Sequence, residues 1–450
     1  MKGRLACQPP LFSMQSRLAR VVLALGAGAA ASVVLAAQTS PTFRAGVDVI
    51  AVDVQVVAKD GRPIADLEKG KFSVTIDGHE RRIVSVDQVR LLSETTDAAM
   101  PVVAAGPSAR NDWPGGGPVT RMFLLAFDVG SFSLSDSRRA AEAASGFIDR
   151  LQPNDVVGLY SFPFGPRILP TADRQSVRSA LGTLMGGSKT MASLYHLTPA
   201  EVIDINSEIA SIGMAPNFGL AAQRGGTLQA AVNGANMDTL SRVMLRECGN
   251  TTDLQCAENI EREVNVLAFY YEGEMTREVN DLTNMMDILG TLPGRKTLVV
   301  FSAGMPSADR PGARPNVDDL ARVLGESAAR TNTTIYTLFF DSTSFEALAP
   351  ETRKANAHPT FQARESDVLS RFLDQFARTS GGTLMRVVVG AGEGALAQIL
   401  RETSAYYLLG VTPEPSDRDG KTHRLRVKVD AKGATIRSRN YVHIPARPPT

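Results

Sequence analysis

The chain has 450 residues, 43% of them hydrophobic and 21% charged, with a formal net charge of +1. These values exclude a collagen-like, coiled-coil or broadly disordered chain, and they supply no overall field to draw in nucleic acid or anionic lipid. The length holds two or three domains at roughly 100–200 residues each.

At the amino terminus, Lys2, Arg4, Arg17 and Arg20 precede the apolar run VVLALGAGAAASVVLAA and the polar QTS. A basic stretch, an apolar core and small residues ahead of a polar segment predict a secretory signal peptide over 1–37, cleaved near Ala36 or Ala37. The rival reading is an uncleaved anchor helix, for which the run is short and rich in Ala and Gly. No cysteine follows the apolar core, as a lipoprotein would need, and no other stretch could span a membrane. The expectation is an exported protein, periplasmic or extracellular, with no membrane span after cleavage. Cleavage leaves 44 basic against 47 acidic residues and removes Cys7. Cys248 and Cys256 remain, in RECGNTTDLQCAEN, and two cysteines eight apart in an exported chain predict one local disulfide. The alternative is two reduced thiols. A zinc site is disfavoured because no His or third Cys lies near them.

The stretch GVDVIAVDVQVV (46–57) alternates with period two, as a half-buried strand does. AKDGRP follows as a turn, and KFSVTIDGHERRIVSVDQV predicts two more strands around Asp77-Gly78. This N-terminal β segment (44–90) is about 45 residues, too few to bury a stable core alone. Residues 91–119, rich in Gly, Pro and small residues, read as a linker. From 120 to 405 strands and helices alternate. RMFLLAF, DVVGLYSF, KTLVVFSAG and TIYTLFFDS are apolar strand runs, PRILP is an edge-like strand, and SDSRRAAEAASGFIDRL is a helix with Ser135 or Ser137 placed to cap it. Such alternation predicts an α/β fold, doubly wound and Rossmann-like, with helices on both faces of a mostly parallel sheet. A largely helical insertion occupies 184–292, its apolar residues recurring at three and four. The C-terminal segment (406–445) returns to β as an expected meander. Neither terminal β segment is large enough alone, so together they are expected to form one sandwich.

The phrases LLAFDVGSFS, LPGRKTLVVFSAGMP and FARTSGGTL, in this order of elements, resemble a von Willebrand factor A-type domain. With GRPIADLEKGKFSVTIDGHERRIVSV before and YYLLGVTP, HRLRVKVD and IRSRNYV after, the chain is similar to the A-domain-related proteins of acidobacteria. The resemblance implies an adhesion-type binding module and a metal-ion-dependent adhesion site for Mg²⁺ or Mn²⁺ at the carboxyl edge of the sheet. That site needs Asp-x-Ser-x-Ser on the first strand, a Thr from a later loop and an acid on the fourth strand. Asp128 matches, but Gly130 and Phe132 hold the two serine positions, and Ser131 and Ser133 sit one residue out of step. Ala303, after Ser302, stands where the acid belongs. Thr227, in GGT (225–227), resembles the Thr loop. The expected metal set of Asp128, Ser131, Ser133, Thr227 and Ser302 is therefore degenerate, with too little charge to offset dehydration of a hard cation. Asp341 ends another strand, two strands away and about 10 Å from the first.

Catalytic signatures are weak. VVVGAGEGALAQIL matches a dinucleotide fingerprint, but too little α/β sequence follows it. GGSKT (186–190) lacks the spacing of a phosphate loop, the five histidines are scattered, and no basic stripe carries stacked aromatics. The sequence thus predicts a non-enzymatic protein-binding module, with a protein partner, no nucleic acid and no resident cofactor. Two alternatives stand beside it: a cation-dependent binder using Asp128 and its neighbouring hydroxyls, and an enzyme with an unrecognised site.

Overall fold

The computed structural model describes residues 49–91, 121–188, 193–213, 238–310, 312–343, 359–387 and 392–446. The signal segment, all but the first residue of the linker, Thr227 and the loop at 388–391 of the dinucleotide-like motif lie outside them. No described helix is long and apolar enough to cross a membrane.

A six-stranded sheet forms the centre. Its strands are β5 (Met122–Asp128), β6 (Val156–Phe162), β7 (Arg167–Thr171), β8 (Lys296–Ser302), β9 (Thr333–Phe340) and β10 (Leu384–Val387), in the order β10-β9-β8-β5-β6-β7. All pairs are parallel except the edge pair β6–β7. Helices cover both faces, as the buried, near-continuous apolar strands require. Phe123, Leu125 and Phe127 point to one face, against α1 (Leu134–Asp149), α2 (Arg174–Leu181) and α8 (Gly392–Glu402). Leu124 and Ala126 point to the other, against α5 (Leu254–Gly290), α6 (Asp318–Arg330) and α7 (Pro359–Thr379). The result is a mixed α/β, Rossmann-like layer with its strand order reversing between β5 and β8. Helix α1 is capped by Ser133, whose Oγ accepts from Asp136 N at 3.1 Å, and not by Ser135 or Ser137. The helix begins at Leu134, earlier than the polar run suggests, because the chain turns at Gly130.

The insertion contains α3 (Pro199–Gly213), α4 (Thr239–Cys248) and the 37-residue α5. At 1.5 Å per residue α5 is about 55 Å long, and its two halves do different work. Ala257, Ile260, Val264 and Leu267 pack with α3 and α4, whereas Met275, Val279, Leu282 and Met286 are part of the sheet's own helical layer. The insertion is therefore continuous with the sheet's helical layer: its last helix is also the crossover that leads into β8. A disulfide joins Cys248, at the end of α4, to Cys256, in the first turn of α5.

The terminal β segments interleave. β1 (Ile50–Val57), β4 (Ile83–Arg90), β11 (Ala405–Val411) and β13 (Thr435–Ser438) form one sheet in the order β13-β1-β11-β4. β2 (Phe72–Ile76), β3 (His79–Arg81), β12 (Thr422–Val429) and β14 (Tyr441–His443) form another, in the order β14-β12-β2-β3. Val52, Val54, Val74, Ile76, Leu409, Leu425 and Val427 meet in one apolar cluster drawn from both sheets. Two sequence expectations change here. The second strand expected after Asp77 is two strands that change sheet at Arg82, and the C-terminal meander is instead four strands alternating between the sheets. Beside the switch at Arg82, the Arg81 guanidinium is buried against Asp417 with Nε–Oδ2 and Nη2–Oδ1 both at 2.8 Å.

Candidate functional site at the carboxyl edge of the parallel sheet

In an open parallel sheet, side chains at the carboxyl ends of the two strands flanking the order reversal face a common crevice. Here those strands are β5 and β8, which end in Asp128 and Ser302. Asp128 is fully buried. Ser302 Oγ donates to its Oδ2 at 2.7 Å and the Ser131 backbone N–H to its Oδ1 at 3.2 Å. Ser131 Oγ donates to the Asp128 carbonyl at 2.9 Å and accepts from the Ala303 N–H at 2.9 Å. The Gly304 N–H donates to Ser302 Oγ at 3.0 Å. The two serine hydroxyls are 3.3 Å apart. Asp128, Ser131 and Ser302 thus converge despite the one-residue offset, because the turn after Asp128 swings Ser131 back over the strand end.

The other two expected ligands are not gathered in. Ser133 is taken by α1: besides its capping bond it donates to Asp136 Oδ2 at 2.6 Å, and it makes no bond to Asp128 among the described residues. Thr227 lies outside the described residues. The Gly-Gly pair that does reach the site is Gly186-Gly187. Gly187 N donates to the Val129 carbonyl at 2.8 Å and Ser188 N to the Phe132 carbonyl at 3.0 Å. A Cβ on Gly186 would stand 2.3 Å from the Ser133 carbonyl oxygen, so glycine is what lets the two loops touch.

One residue escaped sequence reasoning. Glu278 is on α5, three residues after Met275 and four before Leu282, within the stripe that packs on the sheet. An acid in an apolar stripe was the available signal. Burial holds the Glu278 carboxyl well above the usual carboxylate range, and the charge of Asp128 raises it further. Burial also pushes Asp128 up to about 6, against the opposing hydrogen bonds of Ser302 and Ser131. Two neighbouring carboxyls, Asp128 buried and Glu278 half-buried, resist ionising together. Beyond them, Arg167 lies 4.6 Å from the Tyr160 ring centroid, and its charge opposes the burial that raises Asp281.

As a cation site the arrangement is a poor fit. The hydroxyls of Ser131 and Ser302 are engaged as both donors and acceptors within the protein, both Asp128 oxygens accept protein hydrogen bonds, and Ala303 brings no charge. A hard divalent ion needs about six oxygens and offsetting negative charge, and among the described residues no group of three or more His, Cys, Asp or Glu could hold a metal ion. Asp341 is engaged elsewhere, accepting from Ser366 Oγ with Arg386 at 3.7 Å.

Comparison with family models and with curated proteins gives no match. Among solved structures, the chain is similar to an aerotolerance-related membrane protein from Bacteroides fragilis, at 12% identity over 63% of this chain and 98% of that one. The TM-score is 0.27.

Proposed function

We propose that the chain is an exported, non-enzymatic protein-binding module of the von Willebrand factor A type, with a degenerate ion site at Asp128. The carrying observation is the closed hydrogen-bond set of Asp128, Ser131 and Ser302, which satisfies the sheet edge from within. The two terminal β sheets act in this reading as one sandwich that anchors the module, and the helical insertion offers the contact surface. Val266 and Phe269 stand exposed on α5 at 55% and 61%, one helical turn apart, where a partner would cover them.

A second reading has its own observation. Glu278 places a second carboxyl near Asp128, so Asp128, Ser131, Ser302 and Glu278 would be the ligands of a cation-dependent binder, with Glu278 giving up its proton to the ion. Thermal melting in EDTA and then in millimolar Mg²⁺ or Mn²⁺ separates the two. A ligand that binds the native state raises the melting temperature by mass action. No shift in wild type, Asp128→Ala or Glu278→Gln is the expected result. A metal-induced rise that both variants abolish would replace the first reading with the second.

A further inference from the structure

At the amino ends of the parallel strands, opposite the Asp128 edge, β12 and β13 leave the short turn at 430–434 and diverge into different sheets. They bound a wedge of about 930 Å³ whose floor is the turn Gly381–Thr383. β13 is the edge strand of its sheet and, among the described residues, pairs with β1 alone; Ser438 at its end lies against Gly381, and toward Thr435 the outer side of its backbone has no ladder partner among the described residues. β12 pairs with β14 only over Thr422–Arg424. Main-chain groups on an open edge are a template for an added strand unless something guards or uses them.

The charge of the wedge is one-sided. Four arginines line it, Arg378, Arg424, Arg426 and Arg437, and no carboxylate does. Arg378 is bonded to Asp374 and Arg437 to Glu402. The side chains of Arg424 and Arg426 have no ion-pair or hydrogen-bond partner among the described residues. Both point outward because β12 alternates, with Leu425 and Val427 turned to the core. Thr75, Thr383, Thr435 and Ser438 supply hydroxyls between them.

We propose that this wedge binds an extended acidic segment of a partner protein. The segment adds a strand to the free edge of β13 and sets its carboxylates against Arg424 and Arg426. Main-chain pairing supplies affinity and the alternate acidic side chains supply selectivity. The surface is separate from the Asp128 edge, so the proposal stands or falls independently of how that edge is read.

The test is fluorescence anisotropy of a labelled eight-residue peptide of alternating Glu and Val, titrated with the full chain. Saturable binding that weakens steeply with salt is expected. The double variant Arg424→Glu, Arg426→Glu should weaken it at least about tenfold while melting as wild type does, since both side chains are exposed. On wild-type protein, the same peptide N-methylated at alternate residues should lose binding, because it keeps the charge and lacks the main-chain donors. Failure of the Glu-Val peptide to bind overturns the proposal. So does equal binding of the N-methylated peptide, or its displacement by polygalacturonate at matched charge, which would make the wedge a polyanion site.

Discussion

Replacing Asp128 by Asn tests the reading of the sheet edge directly. Burial raises the Asp128 pKa to about 6 from an ordinary value near 3.8. Between those values the folded state binds more protons than the unfolded chain, so stability falls as pH rises through the window. The gap corresponds to about 3 kcal/mol, absent below pH 3.8 and fully present above pH 6. Glu278, also raised, adds a loss of the same sign. In Asp128→Asn the charge is gone. One amide oxygen still accepts from Ser302, but the amide nitrogen faces the Ser131 N–H, a mismatch of about 1–2 kcal/mol at every pH. The variant should therefore be less stable than wild type near pH 4 and more stable by about 1–2 kcal/mol near pH 7. Urea unfolding of both proteins across this range, in EDTA, measures the difference and cancels the groups that do not feel Asp128; Glu278, which the Asp128 charge raises, is relieved in the variant and adds to the difference with the same sign. A difference flat with pH would refute the burial argument. A variant that loses ground as pH rises would mean that Asp128 is stabilised as a carboxylate by its hydrogen bonds from Ser302 and Ser131.

Arg81→Ala leaves Asp417 buried without its partner and should cost about 3–5 kcal/mol by urea unfolding; the apolar pair Arg81→Met, Asp417→Leu should recover most of it. His423 is lowered by burial but raised more by Asp77 at 2.8 Å and Asp419 at 3.0 Å, for a net rise above 6.5. Its contribution is complete below pH 6.5 and lost as pH climbs through the higher folded value, so the advantage of wild type over His423→Gln should shrink toward alkaline pH. Gly186→Ala forces the 186–188 loop off the Ser133 carbonyl and should lower stability by about 1–3 kcal/mol, read as a drop in melting temperature. Serine at both Cys248 and Cys256 opens a small loop and should cost about 2–3 kcal/mol, which reduction of wild type should match.

The α/β layer was legible because its signals are local. LLAF and TLVVF are apolar on both sides and read as covered strands, and the periodicity of α1 reads as a helix. The terminal β segments were legible as strands but not as sheets. Nothing in the period-two pattern of HERRIVSV tells a strand to change partner at Arg82; the partner that β4 takes up, β11, lies more than three hundred residues away. The same limit applied at the site. Asp128, Ser131 and Ser302 were reachable from a motif and its offset, because a single turn sets their approach. Glu278 was not, since its distance from Asp128 depends on where a 37-residue helix crosses the sheet.

That crossing changes what the edge can do. An acid at the end of β8 would sit beside Asp128 at the mouth of the crevice, where solvent and a cation have access. Ala303 supplies no acid there, and Glu278 brings a carboxyl in from the face of the sheet, between Met275 and Leu282 on α5. Charge placed there is stripped of water, and the pKa values rise accordingly. The counter-ion that such a pair accepts most readily is a proton, which needs no shell of six oxygens. A divalent ion must first displace Ser302 from Asp128 Oδ2 and free Ser131 from the Ala303 N–H. Those bonds hold β5 to β8 at the strand ends, so in this fold metal uptake and the integrity of the sheet edge compete for the same atoms.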